Sequence, residues 1–173
     1  MTIITKLTAS GFKSFAKKTD LLFGNNFNCI LGPNGSGKSN VMDALCFVLG
    51  KSSAKGLRAE KSANLIYNGG KKGQPSKKAE VHIYFDNSKN EFPFNSSEIK
   101  ISRVLNQKGV SKYLVNDKTH TRQQVVDLLG KVGVNPDGHN IVLQGDIVHF
   151  MEMKPNDRRD LISDISGISI MIF

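Results

Sequence analysis

The residues with the clearest chemical purpose form one run, Gly32-Pro33-Asn34-Gly35-Ser36-Gly37-Lys38-Ser39, which fits Gly-x-x-x-x-Gly-Lys-Ser, the Walker A pattern of a phosphate-binding loop. Glycines carry no Cβ, so consecutive backbone N–H groups can turn toward phosphate oxygens. A helix starting directly afterwards adds its unpaired amide donors and the positive end of its dipole. Lys38 then reaches the β- and γ-phosphates. Ser39 offers a hydroxyl to Mg²⁺, an ion that keeps several waters and takes few protein ligands. The ligand implied is ATP with Mg²⁺.

A glycine turn followed by Lys-Ser has this meaning only between a strand and a helix. Residues 26–31, Asn-Phe-Asn-Cys-Ile-Leu, read as a buried strand, and residues 40–49 read as a helix with apolar residues at helical spacing. Before them, residues 2–11 alternate apolar and polar and predict a strand, and residues 19–23 predict a second, closed by the turn signal Gly24-Asn25-Asn26. Residues 68–76 form a turn-rich surface loop. Residues 79–86, 99–105 and 112–115 predict further strands, the last two joined at Lys108-Gly109, which suggests an antiparallel sheet. Thr121 caps a helix to about residue 129, and Pro155 suits the first turn of a helix running to 165.

A chain of 173 residues is one domain in length and long enough to bury a core. No apolar run approaches the ~18 residues of a membrane span, and the N-terminus lacks the basic region and apolar core of a signal peptide. With both cysteines, Cys29 and Cys46, in apolar surroundings, the expectation is two small buried residues in an intracellular protein, without a disulfide or metal. The formal net charge of +9 and pI near 9.6 point to an anionic partner larger than ATP, with DNA foremost. The cations cluster at Lys13, Lys17 and Lys18, between Lys51 and Lys61, at Lys71, Lys72, Lys77 and Lys78, and at Arg158-Arg159.

Hydrolysis at a P-loop also needs a carboxylate at the end of a second apolar strand. The nearest candidates are Tyr84-Phe85-Asp86 and Val125-Val126-Asp127, which fall in a surface strand and a helix respectively. ATP binding is therefore legible in these residues, and self-contained hydrolysis is not.

Further segments carry a family likeness: Gly11-Phe12-Lys13-Ser14-Phe15, Gly32 through Asn40, Val48-Leu49-Gly50, residues 53–59, Ala79-Glu80-Val81, residues 140–147, and Arg158-Arg159 with Ile165-Ser166-Gly167-Ile168. In collinear order these resemble the N-terminal half of the ATPase head of SMC proteins, chromosome-structuring members of the ABC superfamily, and most of all the archaeal chromosome-segregation type. The resemblance implies an α/β, ABC-type P-loop half-domain with an antiparallel β subdomain over residues 1–168. The tail 169–173 is apolar where a coiled coil would begin, which suggests a truncated or frame-shifted gene or a fragment.

By the same resemblance, Gln144 is the Q-loop glutamine that binds Mg²⁺ and senses the γ-phosphate; a neutral amide can do this without titrating. Lys13 and Ser14 would line the nucleotide pocket opposite the P-loop, and Arg58 would be the head arginine linked to ATP-dependent engagement and to DNA. Lys61 and Arg122 would contact the DNA backbone, giving salt-sensitive binding with little sequence preference. Lys38, Gln144 and Arg58 are thus the residues expected to serve catalysis. The implied partners are DNA, the C-terminal half of the head with its signature and Walker B motifs, a second copy in a homodimer, and a kleisin-type subunit, with no membrane. The setting implied is the cytoplasm, in association with the nucleoid. Hydrolysis is expected only from the completed, dimerised head, and this chain alone is expected to be inactive. Other readings are a DNA-repair ATPase of the Rad50, RecN or RecF kind, a self-contained P-loop kinase or GTPase, and an ATP-binding fragment without activity.

Overall fold

The structure is a computed structural model that describes residues 2–51, 53–70, 73–135, 141 and 152–166. The chain divides into two compact units, 1–133 and 134–173. The first is built on a six-stranded, wholly antiparallel sheet in the order β2-β1-β3-β4-β5-β6. Its strands are β1 (Ile3–Ser10), β2 (Thr19–Leu22), β3 (Lys78–Asp86), β4 (Glu98–Asn106), β5 (Ser111–Val115) and β6 (Lys118–His120). Five of the six were predicted, and β6 was not. It is made by the two-residue turn Asn116-Asp117, with φ of 45° and 65°, a backbone that matches the twist of a hairpin.

The period-2 alternation decides which sheet face is buried. Leu7 and Ala9 of β1, Val81, Ile83 and Phe85 of β3, and Ile99, Ile101 and Leu105 of β4 are almost fully inaccessible. Against this face lies α1 (Lys38–Leu49), whose Ala44, Phe47 and Val48 are also buried. Its C-terminus closes as a Schellman motif, with Gly50 at φ 110° and the Lys51 N–H donating to the Cys46 carbonyl at 3.0 Å. The second helix, α2 (Arg122–Lys131), begins with a capping box in which the Thr121 side chain accepts from the Gln124 N–H and the Gln124 side chain accepts from the Thr121 N–H. In the second unit, α3 (Pro155–Ser166) starts at a proline and carries Asp157 in its first turn, both as its N-terminus favours.

One expectation is overturned. Residues 26–31 form no strand among the described residues, and Phe27 is 91% exposed, Leu31 85% and Ile30 45%. Cys29 is likewise exposed, whereas Cys46 is buried as expected. The composition of 26–31 is that of a central strand, but burial requires neighbouring strands, and none of the six described strands runs beside it.

Candidate nucleotide-binding site

The P-loop leads directly into α1, as the motif requires. Gly35 (φ 80°) and Gly37 (φ 96°) sit in the left-handed region that side chains disfavour. Gly37 is the N-cap of α1 and brings no capping side chain, and the first turn holds no acidic residue. Among the described residues nothing accepts a hydrogen bond from the amides of Gly37, Lys38 and Ser39. Three N–H groups without an acceptor and the positive end of a 12-residue helix therefore lie together at the start of α1, which suits an anion. Lys38 Nζ donates to the Gly32 and Pro33 carbonyls at 2.6 and 2.8 Å, spanning the mouth of the loop. Within the loop the Ser36 N–H donates to the Pro33 carbonyl at 3.2 Å, while Asn34 is exposed at its tip.

The segment 11–15 is fixed beside this loop by Phe12. That ring is fully buried and 5.1 Å from the ring of Phe47, and the Lys13 N–H donates to the Leu65 carbonyl at 2.8 Å. Ser14 is thereby held at the start of α1, where Asn40 Nδ2 donates to its Oγ at 2.8 Å. Ser14 Oγ also lies so close to Gly37 that a Cβ there would stand 2.9 Å away. Lys13 is turned a helical turn further down: its Nζ donates to Asp43 Oδ2 at 2.5 Å and to the Leu57 carbonyl at 2.6 Å.

Arg58 arrives from the short 3-10 turn Lys55–Leu57, which buried Leu57 anchors and the Ala59 N–H closes onto the Ala54 carbonyl at 2.9 Å. Its Nε donates to Asp43 Oδ1 at 3.1 Å, and its Nη2 donates to Asp43 Oδ2. The structure thus brings Lys13, Ser14, Lys38, Asn40 and Arg58 onto the first two turns of α1. It adds Asp43, which the sequence did not single out: an acidic residue in an apolar helix is ordinary, and nothing local shows that two distant loops converge on it.

Lys61 is exposed at the start of the 3-10 helix Ser62–Leu65. Arg122 opens α2, and its Nε donates to the Gly50 carbonyl at 2.7 Å. Gln144 lies outside the described residues, as does the tail 169–173. A nucleotide triphosphate fits the donor set described: free amides, an ammonium and a helix N-terminus. Ser39, exposed on the first turn, is the described hydroxyl that would hold Mg²⁺.

Comparison with known proteins agrees with this geometry. The family model RecF/RecN/SMC N terminal domain matches residues 3–162. The chain is 48% identical to the chromosome partition protein Smc of Pyrococcus furiosus over 170 residues, which is 98% of this chain and 14% of that protein. It is 41% identical to Smc of Aquifex aeolicus over 95% of this chain and 14% of that one. The chain therefore spans about a seventh of these relatives' length.

Among solved structures, it superposes with a TM-score of 0.91 and 47% identity on a Pyrococcus furiosus Smc head domain bound to the C-terminal domain of ScpA, covering 98% of this chain and 43% of that one. It matches a chain from work on ATP-driven dimerisation and DNA-stimulated activation of SMC ATPases with a TM-score of 0.87 and 47% identity, covering 94% and 98% of the two chains. With its P-loop, its antiparallel sheet and these matches along nearly its whole length, the chain belongs to the RecF/RecN/SMC N-terminal domain family and has the fold of the N-terminal part of an SMC ATPase head.

Proposed function

We propose that this chain is the ATP-binding N-terminal part of an SMC ATPase that binds DNA and serves chromosome condensation and segregation through ATP-dependent head engagement and hydrolysis. The observation that carries the reading is the start of α1: an uncapped glycine N-terminus with unpartnered amides and Lys38 across the loop mouth. In this reading the loop from Gly32 to Ser39 cradles the phosphates, Ser39 and Gln144 hold Mg²⁺, and Lys13, Ser14 and Asn40 wall the pocket. Arg58 serves engagement and turnover.

The net charge of +9 supports a DNA partner, with Arg58, Lys61 and Arg122 as contacts to its backbone. Relatives described as dimerising with ATP and as bound to ScpA support a homodimer and a kleisin-type subunit as partners, and a nucleoid-associated place in the cytoplasm. The exposed Phe27 and Leu31 support the C-terminal half of the head as a further partner, and with it the assignment of hydrolysis to the completed, dimerised head instead of this chain alone. The 37–48% identity to chromosome partition proteins favours this reading over a repair ATPase of the Rad50 or RecN kind.

The test is titration of a fluorescent ATP analogue with Mg²⁺ into the full-length protein and its Lys38→Ala variant. Saturable binding by the first and its loss in the second are expected. Equal binding by both would overturn the reading.

A further inference from the structure

Asp43 lies on α1 one turn beyond Ser39, and its side chain is only 5% exposed. A carboxylate so withdrawn from water is costly unless its oxygens are matched by donors. Here they are matched entirely by cations from two loops. Oδ2 accepts from Lys13 Nζ at 2.5 Å and from Arg58 Nη2, and Oδ1 accepts from Arg58 Nε at 3.1 Å. Both loops reach the carboxylate through left-handed residues, with φ of 45° at Lys13 and 54° at Arg58, a backbone that persists only where surroundings hold it.

The two cations differ in how they are held. The Lys13 side chain is 12% exposed, but that of Arg58 is 44% exposed. Arg58 is therefore anchored through the Nε–Nη2 edge of its guanidinium while nearly half of its side chain stays accessible, open to an anion. A planar fork on a carboxylate has a defined direction, which a lone ammonium would not have. Two positive groups on one negative group also leave the cluster with a net charge of about +1, which attracts phosphate. The carboxylate stays shielded behind both cations.

We propose that Asp43 is a positioning residue for Arg58: it holds the guanidinium at a fixed angle beside the phosphate loop, so that turnover depends on Asp43 through Arg58 and not through ATP binding. This rests on the reading of the site as an ATPase head. It touches no phosphate itself, and its effect is on the geometry of a group that does.

The test uses the full-length protein with Asp43→Asn, Asp43→Glu, Arg58→Ala, Arg58→Lys and the double variant Asp43→Asn/Arg58→Ala, reading kcat, Mg-ATP affinity and melting temperature. Asp43→Asn is expected to lower kcat about tenfold, to the level of Arg58→Ala, with Mg-ATP affinity unchanged or tighter. The double variant should be no slower than Arg58→Ala, because coupled residues do not add. Asp43→Glu, which keeps the carboxylate, should recover part of the rate. Arg58→Lys leaves the buried carboxylate in place, so it informs even if Asp43→Asn does not fold; it should be as slow as Arg58→Ala, since an ammonium has no fork.

Losses that multiply in the double variant, wild-type kcat in Arg58→Ala or Arg58→Lys, or a fall in Mg-ATP affinity that accounts for the Asp43→Asn defect would each overturn the proposal while leaving the ATPase reading intact. Failure of the unmodified protein to bind Mg-ATP would overturn both.

Discussion

The guanidinium of Arg103 lies 4.1 Å from the ring centre of Phe47, and its Nη1 donates to the carbonyl of that same residue at 2.9 Å. One side chain of β4 thus both stacks on the last turn of α1 and caps it. The same Nη1 donates to the Lys51 carbonyl at 2.8 Å, and Nε donates to Ser111 Oγ at 3.1 Å. The ring of Tyr113 packs against the guanidinium as well, 4.9 Å away. Burial pulls the Arg103 pKa below the usual guanidinium value, yet the group stays charged at any working pH. Since α1 has no basic residue in its own last turn, its negative end is met by arginines from elsewhere, Arg103 from the sheet and Arg122 from α2.

Arg103→Met follows from this arrangement. It keeps apolar volume against Phe47 but leaves the carbonyls of Phe47 and Lys51 without that donor in a buried setting. A loss of about 3 kcal/mol is expected, the range for breaking a buried charged hydrogen-bond network. Urea unfolding would show it as a lower midpoint at constant slope. An unchanged midpoint would mean that water takes over the role of the guanidinium.

Two glycines of the P-loop should respond unequally to alanine. Gly35 and Gly37 both have positive φ, so each substitution carries a backbone cost of roughly 1 kcal/mol. At Gly35 a Cβ meets nothing within 4 Å, whereas at Gly37 it comes 2.9 Å from Ser14 Oγ. Gly37→Ala must therefore also displace Ser14 from Asn40. It should weaken Mg-ATP binding several-fold more than Gly35→Ala, a difference of roughly 1 kcal/mol or more in parallel titrations.

How much of this was legible beforehand depended on whether the deciding contacts were local. The strands β1, β3 and β4 announced themselves because half-buried antiparallel strands alternate, and the Thr121 cap is a contact within one turn. The phosphate loop was legible for the same reason, as its glycines, lysine and helix start are contiguous. Arg103 shares the inward parity of Ile99, Ile101 and Leu105, which was an available sign of a buried arginine, but its backbone carbonyl acceptors lie more than fifty residues earlier. Asp43 gave no sign, because Lys13 and Arg58 meet it only in the fold. Residues 26–31 have the composition of a buried strand, but burial is set by a segment's neighbours, and none of the described strands pairs with this one.

His82 gives the sheet a pH dependence of definite sign. It lies on the face of β3 away from α1, with Nδ1 2.8 Å from Ser102 Oγ, opposite it on β4. Burial first, and then the charge of Lys100, depress its pKa below 6.5, outweighing Glu80 and Asp117. A histidine depressed in the folded state binds its proton more readily when unfolded, so its contribution is fully present above about pH 6.5 and is lost as pH falls toward the folded pKa. Between pH 7.5 and 5.5 the melting temperature of the unmodified chain should drop more than that of His82→Gln. Parallel pH profiles for the two would count against the assignment.

The exposed apolar side chains before the P-loop lead to the opposite expectation from most core substitutions. Phe27 and Leu31 are 91% and 85% exposed, and Leu22 on the edge strand β2 is 79% exposed. Removing apolar surface that stays in water on folding costs the folded state little, so Phe27→Ser with Leu31→Ser should change the stability of this chain by no more than about 0.5 kcal/mol. An open edge strand beside apolar side chains also invites association, so the same double variant should scatter less light on concentration. In a head completed by a C-terminal half, the result should reverse. If a C-terminal half of the head covers these residues, the same changes would remove two large buried side chains and lower its melting temperature by several degrees. Equal melting of the variant and the unmodified full-length protein would show that nothing covers this segment.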